Sequence, residues 1–265
     1  MTVRCDRTTN AKVYAAGVRV YDEIWSPVIV PPAEAVVRGL ELSGARRIVD
    51  VGGGTGALSP ALRAAAPDAV VVSIDHSVEM LRLGVTLRTL TAVRADAMAL
   101  PLATASVDAL LLAYVLFMLP DPRVCLHEAR RVARRGGRLG IVTWANEVPS
   151  VAAQVCDAAL EELEVPALPA HSNHGGLETT EAVTSRLIEA GLHPRRVWYE
   201  SIDHTFDPDL FWRLRTEHGT GFVRLAALED RFRSRVLSEL RDRLASLGPA
   251  DYRLRGNVVC AVAQT

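Results

Sequence analysis

The stretch from Ile48 to Ser59, IVDVGGGTGALS, constrains this chain more than any other. Ile48, Val49 and Val51 make the short apolar run of a buried strand, and Gly52, Gly53, Gly54 and Gly56 follow at once. Without Cβ atoms these glycines let the backbone turn sharply and let a ligand come close to it. Such a turn leads into a helix N-terminus, whose unpaired N–H groups and partial positive charge hold carboxylate, phosphate or ribose oxygens. Gly52, Gly54 and Ala57 also satisfy the dinucleotide form G-x-G-x-x-A, so the turn by itself suits a nicotinamide enzyme as well as other nucleotide binders.

Acids at strand ends separate these possibilities. Asp50 sits at the carboxyl end of the first strand, where it repels a diphosphate and attracts a cationic amino-acid head group. Val70 to Ile74 is a second β-branched run and ends in Asp75, about twenty residues past the glycines, the place from which a carboxylate accepts both hydroxyls of an adenosine ribose. A third strand, Thr91 to Ala95, is followed by Asp96, Ala97 and Met98. A fourth, Val107 to Leu112, ends at Ala113 and Tyr114. Residues at the carboxyl ends of parallel strands line the ligand crevice. A nicotinamide dehydrogenase accommodates Asp75 and the glycines and leaves Asp50 and Asp96 without roles.

Asp50, Gly52, Gly54 and Gly56 spell D-x-G-x-G-x-G, IDHSVEML follows at the second strand, and RADAMALPLATASVDALLLAYVLFMLPDP at the third and fourth. In these elements the sequence resembles the class I S-adenosylmethionine-dependent methyltransferases, strongly over residues 48 to 144 and in outline elsewhere. The resemblance implies that Asp50 with Gly52, Gly53, Gly54 and Gly56 holds the amino-acid end of S-adenosylmethionine, and that Asp75 holds the ribose. It implies further that Asp96, Ala97 and Met98 read the adenine, that Met80 packs on it, and that Ala113 and Tyr114 line the crevice. His76 has two readings, an adenine edge contact or an ordinary turn histidine. Tyr14, Tyr21 and Trp25 lie on a leading helical segment and either pack it on the core or, for the tyrosines, meet the cofactor carboxylate. Many relatives carry polar residues where this chain has Phe117 and Met118, a departure that reads either as an apolar wall beside the reacting methyl or as core. The expected acceptor pocket is Tyr21, Tyr114, Phe117 and Trp144.

The rest of the chain narrows the function class. Its 265 residues are 49% hydrophobic and carry a formal net charge of -1 with no long single-sign run, which argues against a nucleic-acid surface and for one large core. Lys12 is the only lysine, and the arginine pairs interleave with glutamates as on a solvated helix face. Cys5, Cys125, Cys156 and Cys260 are isolated, as in a reduced cytoplasmic protein, and no apolar run is long enough to span a bilayer. His171 and His174 lack a supporting third ligand, so no metal is expected; G-x-S-x-G and P-loop patterns are absent.

The expected architecture is α/β: one methyltransferase domain over 1-265 with a Rossmann-like, doubly wound, mostly parallel seven-stranded sheet and an antiparallel last strand. Residues 1-45 read as an N-terminal helical cap, with a second helix from Pro31-Pro32 through Leu40, and 46-144 as the cofactor core. A helix from Asp121-Pro122 is expected to end at Gly136-Gly137, before a fifth strand Leu139 to Trp144. Val197 to Phe206 and Asn257 to Ala263 read as the last strands. Residues 145-176 and 207-255, the latter with two helices (Asp209 to His218 and Phe222 to Leu247), read as a substrate cover offering Phe206, Phe211, Trp212 and Phe222. The expected function is methyl transfer to a small, apolar or aromatic molecule by a monomer or homodimer, through positioning and without an indispensable histidine. The alternative is a protein of the same fold that binds S-adenosylmethionine as a cyclase or regulator without transferring methyl.

Overall fold

The computed structural model describes residues 17–168 and 176–265. In chain order the elements are α1 (Val18–Gly39), β1 (Arg47–Val51), α2 (Ser59–Ala65), β2 (Val70–Asp75), α3 (Val78–Arg88), β3 (Thr91–Arg94), β4 (Val107–Ala113), a 3-10 turn (Leu116–Met118) and α4 (Pro122–Val132). Then come β5 (Ala133–Val148), α5 (Val151–Glu162), α6 (Thr180–Glu189), β6 (His193–Thr205), α7 (Pro208–Glu217), α8 (Gly219–Ala226), α9 (Asp230–Leu244), a second 3-10 turn (Pro249–Tyr252) and β7 (Arg253–Gln264). The described residues divide into two compact units, a larger one of 29–146, 176–201 and 257–265 and a smaller one of 17–28, 147–168 and 202–256.

The seven strands run in the order β3-β2-β1-β4-β5-β7-β6. β1 pairs in parallel with β2 on one side and β4 on the other, so the chain order reverses between β1 and β4, where open α/β sheets bind ligands. β4 shows why these strands form. Leu110, Leu111 and Leu112 are all fully buried, the continuous apolar run of a parallel strand covered on both faces. Thr265 N–H donates to Gly137 O and Gly136 N–H to Thr265 O, while Asn257 bonds Asn146 at the other end, so β7 runs antiparallel to β5. The antiparallel last strand is as the sequence suggested. Among the helices of the larger unit, α4 is typical: Asp121 caps it by accepting from Arg123 N–H at 3.0 Å, Pro122 opens it, and Cys125, Leu126, Ala129 and Val132 form its buried stripe.

Four boundaries differ from the sequence reading. α1 continues through Pro27, Pro31 and Pro32 instead of restarting at Pro31, because its apolar positions stay buried on both sides, Ile24 and Val28 before and Ala33, Val36 and Leu40 after. Helix α4 stops at Val132, and Arg134 to Gly137 already belong to β5, where Gly136 and Gly137 bond the chain's last residue. The stretch 145–176 contains a helix, α5, capped by Ser150. In 207–255 there are three helices, since the chain breaks at Ala227 to Glu229 between α8 and α9.

The smaller unit has its own apolar interior. Phe206, Phe211 and Tyr252 are each at most 6% exposed. Their rings stand 6.1 Å (Phe206–Phe211) and 5.2 Å (Phe211–Tyr252) apart, and Trp25 meets Phe206 edge-on at 6.1 Å. Arg243 bridges Glu162 of α5 and Glu239 of α9 at 2.6 and 2.8 Å. Phe206 and Phe211, candidate cover aromatics in the sequence, are therefore packing residues here. Trp212 carries Arg241 over its ring at 4.8 Å.

Candidate functional site

The glycine turn is pinned to the neighbouring strand. Gly52 and Gly53 N–H both donate to Ile74 O, at 2.7 and 3.2 Å, and Gly54 N–H donates to Asp75 Oδ2 at 2.8 Å. Asp75 Oδ1 accepts from Ser77 N–H at 2.8 Å, and Ser77 Oγ in turn caps α3 by accepting from Met80 N–H. One carboxylate thus joins the turn after β1 to the helix after β2. Burial raises the Asp75 pKa, and the Ser77 and Gly54 N–H groups and the His76 charge act against that rise.

Two glycines are required by what surrounds them. Gly52 has φ +71° and a Cβ there would stand 2.6 Å from Val115, which follows Tyr114 past the end of β4. A Cβ on Gly53 would stand 2.6 Å from Asp50 Oδ2 and 3.1 Å from Ser73 Oγ. Asp50 therefore lies directly beneath the turn, 1% exposed, opposite Ser73 in the β1–β2 register. Among the described residues Asp50 Oδ2 and Ser73 Oγ have no hydrogen-bond partner. Burial, and after it the Asp75 charge, pushes the Asp50 carboxyl up to about 7.

Several of the remaining predicted positions, Asp96, Ala113 and Tyr114 among them, fall at or just past strand ends of the same sheet. Asp96 stands just past β3, where Ala95 N–H donates to Asp75 O, and closes a small turn by accepting from Met98 N–H at 2.9 Å. Ala97 and Met80 are buried, Met98 is half-buried and His76 is exposed. Tyr114 has φ +57°, a conformation costly for a residue with a side chain, and is held by its N–H to Val142 O at 2.8 Å. Its ring stands 5.4 Å from Trp144, tilted 52°. Ala113 and Phe117 are half-buried nearby in the chain. Tyr21 belongs to the smaller unit, 5.4 Å from the buried His218 ring. Tyr14, His171 and His174 lie outside the described residues. Among the described residues no group of three or more His, Cys, Asp or Glu side chains converges as metal ligands, and no helix is long and apolar enough to cross a membrane.

Sequence reasoning passed over Ser73 and Val115. Ser73 interrupts the apolar run VVVSID, and in a parallel register a hydroxyl there faces the position of Asp50. Val115 carries no such signal, because its contact with Gly52 depends on the backbone turning at Tyr114.

Strand order, glycine turn and strand-end acids define a Rossmann-like nucleotide-binding sheet. The methyltransferase-domain family pattern matches residues 49–141. A ubiquinone/menaquinone biosynthesis C-methyltransferase of Syntrophotalea carbinolica is 37% identical over 116 residues, 42% of this chain and 49% of that protein. The chain thus spans about half the length of that relative. An uncharacterized methyltransferase of Mycobacterium bovis is 31% identical over 171 residues, 61% of this chain and 68% of its own length. The crystal structure of the [4+2]-cyclase SpnF superposes over 100% of this chain and 98% of its own with a TM-score of 0.59 at 17% identity, a likeness of fold. The chain belongs to the class I S-adenosylmethionine-dependent methyltransferase family, and S-adenosylmethionine is its cofactor. The residues present fit that molecule: a turn whose Gly52 and Gly53 leave no room for side chains, an unpartnered buried carboxylate oxygen beneath it, and a second carboxylate at the next strand end.

Proposed function

We propose that this chain transfers the methyl group of S-adenosylmethionine to a small, apolar or aromatic acceptor. The observation that carries the reading is the row of acids at the carboxyl ends of three neighbouring parallel strands, Asp50, Asp75 and Asp96, around a turn at the point where strand order reverses. The bound cofactor supplies an electrophilic methyl carbon on a sulfonium centre. The glycine turn with Asp50 holds its amino-acid end, Asp75 its ribose through the lone pairs not used by Gly54 and Ser77, and Asp96 with Ala97 and Met98 its adenine, beside Met80 and His76. Ala113 and Tyr114 close the crevice at the end of β4.

The acceptor class is read from what stands at the end of β4 and beside it on β5, just beyond the Ala113–Val142 pair. Tyr114, Phe117 and Trp144 offer rings and no carboxylate, which suits an apolar molecule held by shape. The relative from Syntrophotalea carbinolica is named for quinone biosynthesis, and that name favours an aromatic ring among possible acceptors. Positioning supplies much of the rate when the acceptor ionises easily, so no histidine is given the role of base. The test is transfer of label from methyl-labelled cofactor to a panel of phenols, quinols, amines and aliphatic acids. Label in an aromatic product supports the reading; cofactor binding with no label in any of them favours the cyclase or regulator alternative.

A further inference from the structure

We propose that Ser73 is a positioning residue for cofactor binding: its hydroxyl is the internal donor that bonds the Asp50 carboxylate when that group is ionised, and it thereby holds the charge beneath the glycine turn. The inference rests on the reading of the turn as the cofactor's seat, where ionised Asp50 meets a cationic amino-acid head group.

The strand register leaves one donor beside Asp50. Ala92, Ser73, Asp50 and Leu111 stand side by side on β3, β2, β1 and β4, so their side chains share one face of the sheet. Of these four side chains only Ser73 has a proton to give. The row two residues back, Val71, Ile48 and Ala109, is apolar. Of the charged groups at this end of the sheet, Asp75 on β2 opposes a second charge at Asp50. Arg94, opposite Asp75 on β3, is exposed and donates to His76 O at 3.2 Å, and His76 is exposed in turn. The glycine turn and the nearby end of β4 bring none.

Asp50 and Ser73 are each 1% exposed, so solvent completes neither. Their polar atoms flank one residue, with Asp50 Oδ2 at 2.6 Å and Ser73 Oγ at 3.1 Å from the place a Cβ on Gly53 would take. Neither atom has a hydrogen-bond partner among the described residues, so the hydroxyl breaks no bond when it turns to the carboxylate and spends only a change of serine rotamer. A hydroxyl that donates to a buried carboxylate favours its charged form.

The experiment compares wild type with Ser73→Ala, and Asp50→Asn with the double variant, by denaturant unfolding without ligand at about pH 5 and about pH 8.5. Calorimetry across the same range uses S-adenosylhomocysteine, the demethylated cofactor, which keeps the amino-acid end. At the lower pH Asp50 is protonated, and Ser73→Ala unfolds at the wild-type denaturant concentration or above it. At the higher pH it unfolds at less denaturant than the wild type. In the Asp50→Asn background the effect of Ser73→Ala does not change with pH. Binding strengthens as pH rises, and the midpoint of that rise lies about one to two pH units higher in Ser73→Ala, the worth of one hydrogen bond to a charge. Equal loss of stability at both pH values, or a binding midpoint that stays in place, shows a packing role and overturns the proposal. So does failure of Ser73→Ala to fold at the lower pH, since the fold there has no use for an unpartnered hydroxyl. Failure of the wild type to bind at any pH is a failure of the seat itself and overturns the role in binding, whatever the ligand-free unfolding shows.

Discussion

Gly54 N–H donates to Asp75 Oδ2 across 2.8 Å, so the carboxylate at the end of β2 holds the turn at the end of β1 before any ligand arrives. The same side chain accepts from Ser77 N–H at the start of α3. Asp75 is thereby a structural clasp as well as the proposed ribose ligand, and its removal has two expected consequences.

Asp75→Ala strands two half-buried N–H donors, at roughly 1 kcal/mol or somewhat more each, so the ligand-free protein loses about 1–3 kcal/mol. Asp75→Asn keeps one acceptor oxygen and loses less. Both variants weaken cofactor binding, because each removes the charged acceptor facing the ribose. Urea unfolding without ligand, followed by calorimetry with S-adenosylmethionine, separates the two effects. Unchanged stability in Asp75→Ala refutes the clasp; unchanged affinity refutes the ribose contact.

Most of this arrangement is legible in the sequence, because strand, turn and acid recur in chain order and their roles depend only on strand ends. What was not legible depends on tertiary packing. The prolines of α1 would break an isolated helix, and burial of Ile24, Val28 and Val36 carries it through. Gly136 and Gly137 look like a helix stop until Thr265 arrives from the far end of the chain to pair with them. Phe206 and Phe211 could not be told from pocket residues, since an aromatic at a strand end or on a helix looks the same in sequence whether it faces a ligand or packs on another ring, as Phe211 does on Phe206 and Tyr252.

Asp50 makes stability pH-dependent. Its carboxyl titrates near 7 in the folded chain against an ordinary value of 3.8, so the native state holds a proton that the unfolded chain gives up first. The sign follows: this contribution is fully present below about pH 4 and is lost as pH rises through 7. In the ligand-free protein Asp50→Asn, which stays neutral, gains on the wild type between pH 5 and 8, on the order of a few kcal/mol across the window. Denaturant midpoints of both proteins at several pH values test this. A difference that does not change with pH excludes titration of Asp50 in that window.

Gly53→Ala places a methyl group 2.6 Å from Asp50 Oδ2 and 3.1 Å from Ser73 Oγ. Overpacking of that kind costs about 1–3 kcal/mol. The clash has an identified partner, so a double-mutant cycle with Asp50→Ala recovers part of the loss. Strict additivity of the two substitutions would show that residue 53 and Asp50 do not meet.

Phe211 is 2% exposed between Phe206 and Tyr252, and its removal is a packing event in the smaller unit. Phe211→Ala costs about 3–5 kcal/mol, while Phe211→Leu, nearer in volume, costs much less. Once an acceptor is known, the leucine variant leaves the preference among acceptors unchanged. A shift of preference in a variant of near-normal stability would return Phe211 to the acceptor pocket.

The last prediction separates the two cofactor classes that a glycine turn alone allows. A ligand that binds only the folded chain stabilises it by about 2.7 kcal/mol at a hundredfold excess over its dissociation constant. S-adenosylmethionine and its demethylated product raise the melting temperature accordingly. NAD does not, for a reason visible in the turn: its diphosphate would lie over Gly52 to Gly54, above Asp50, whose carboxylate lies against Gly53, a residue without a side chain. The repulsion requires the ionised carboxylate, so at pH 8 it is largely in force and at pH 6 largely absent, given a titration near 7. Melting curves with each ligand at both pH values are the measurement. A shift with NAD at pH 8 equal to that with S-adenosylmethionine would remove Asp50 as the discriminating group; no shift with S-adenosylmethionine at either pH would contradict the assignment of the turn as its seat.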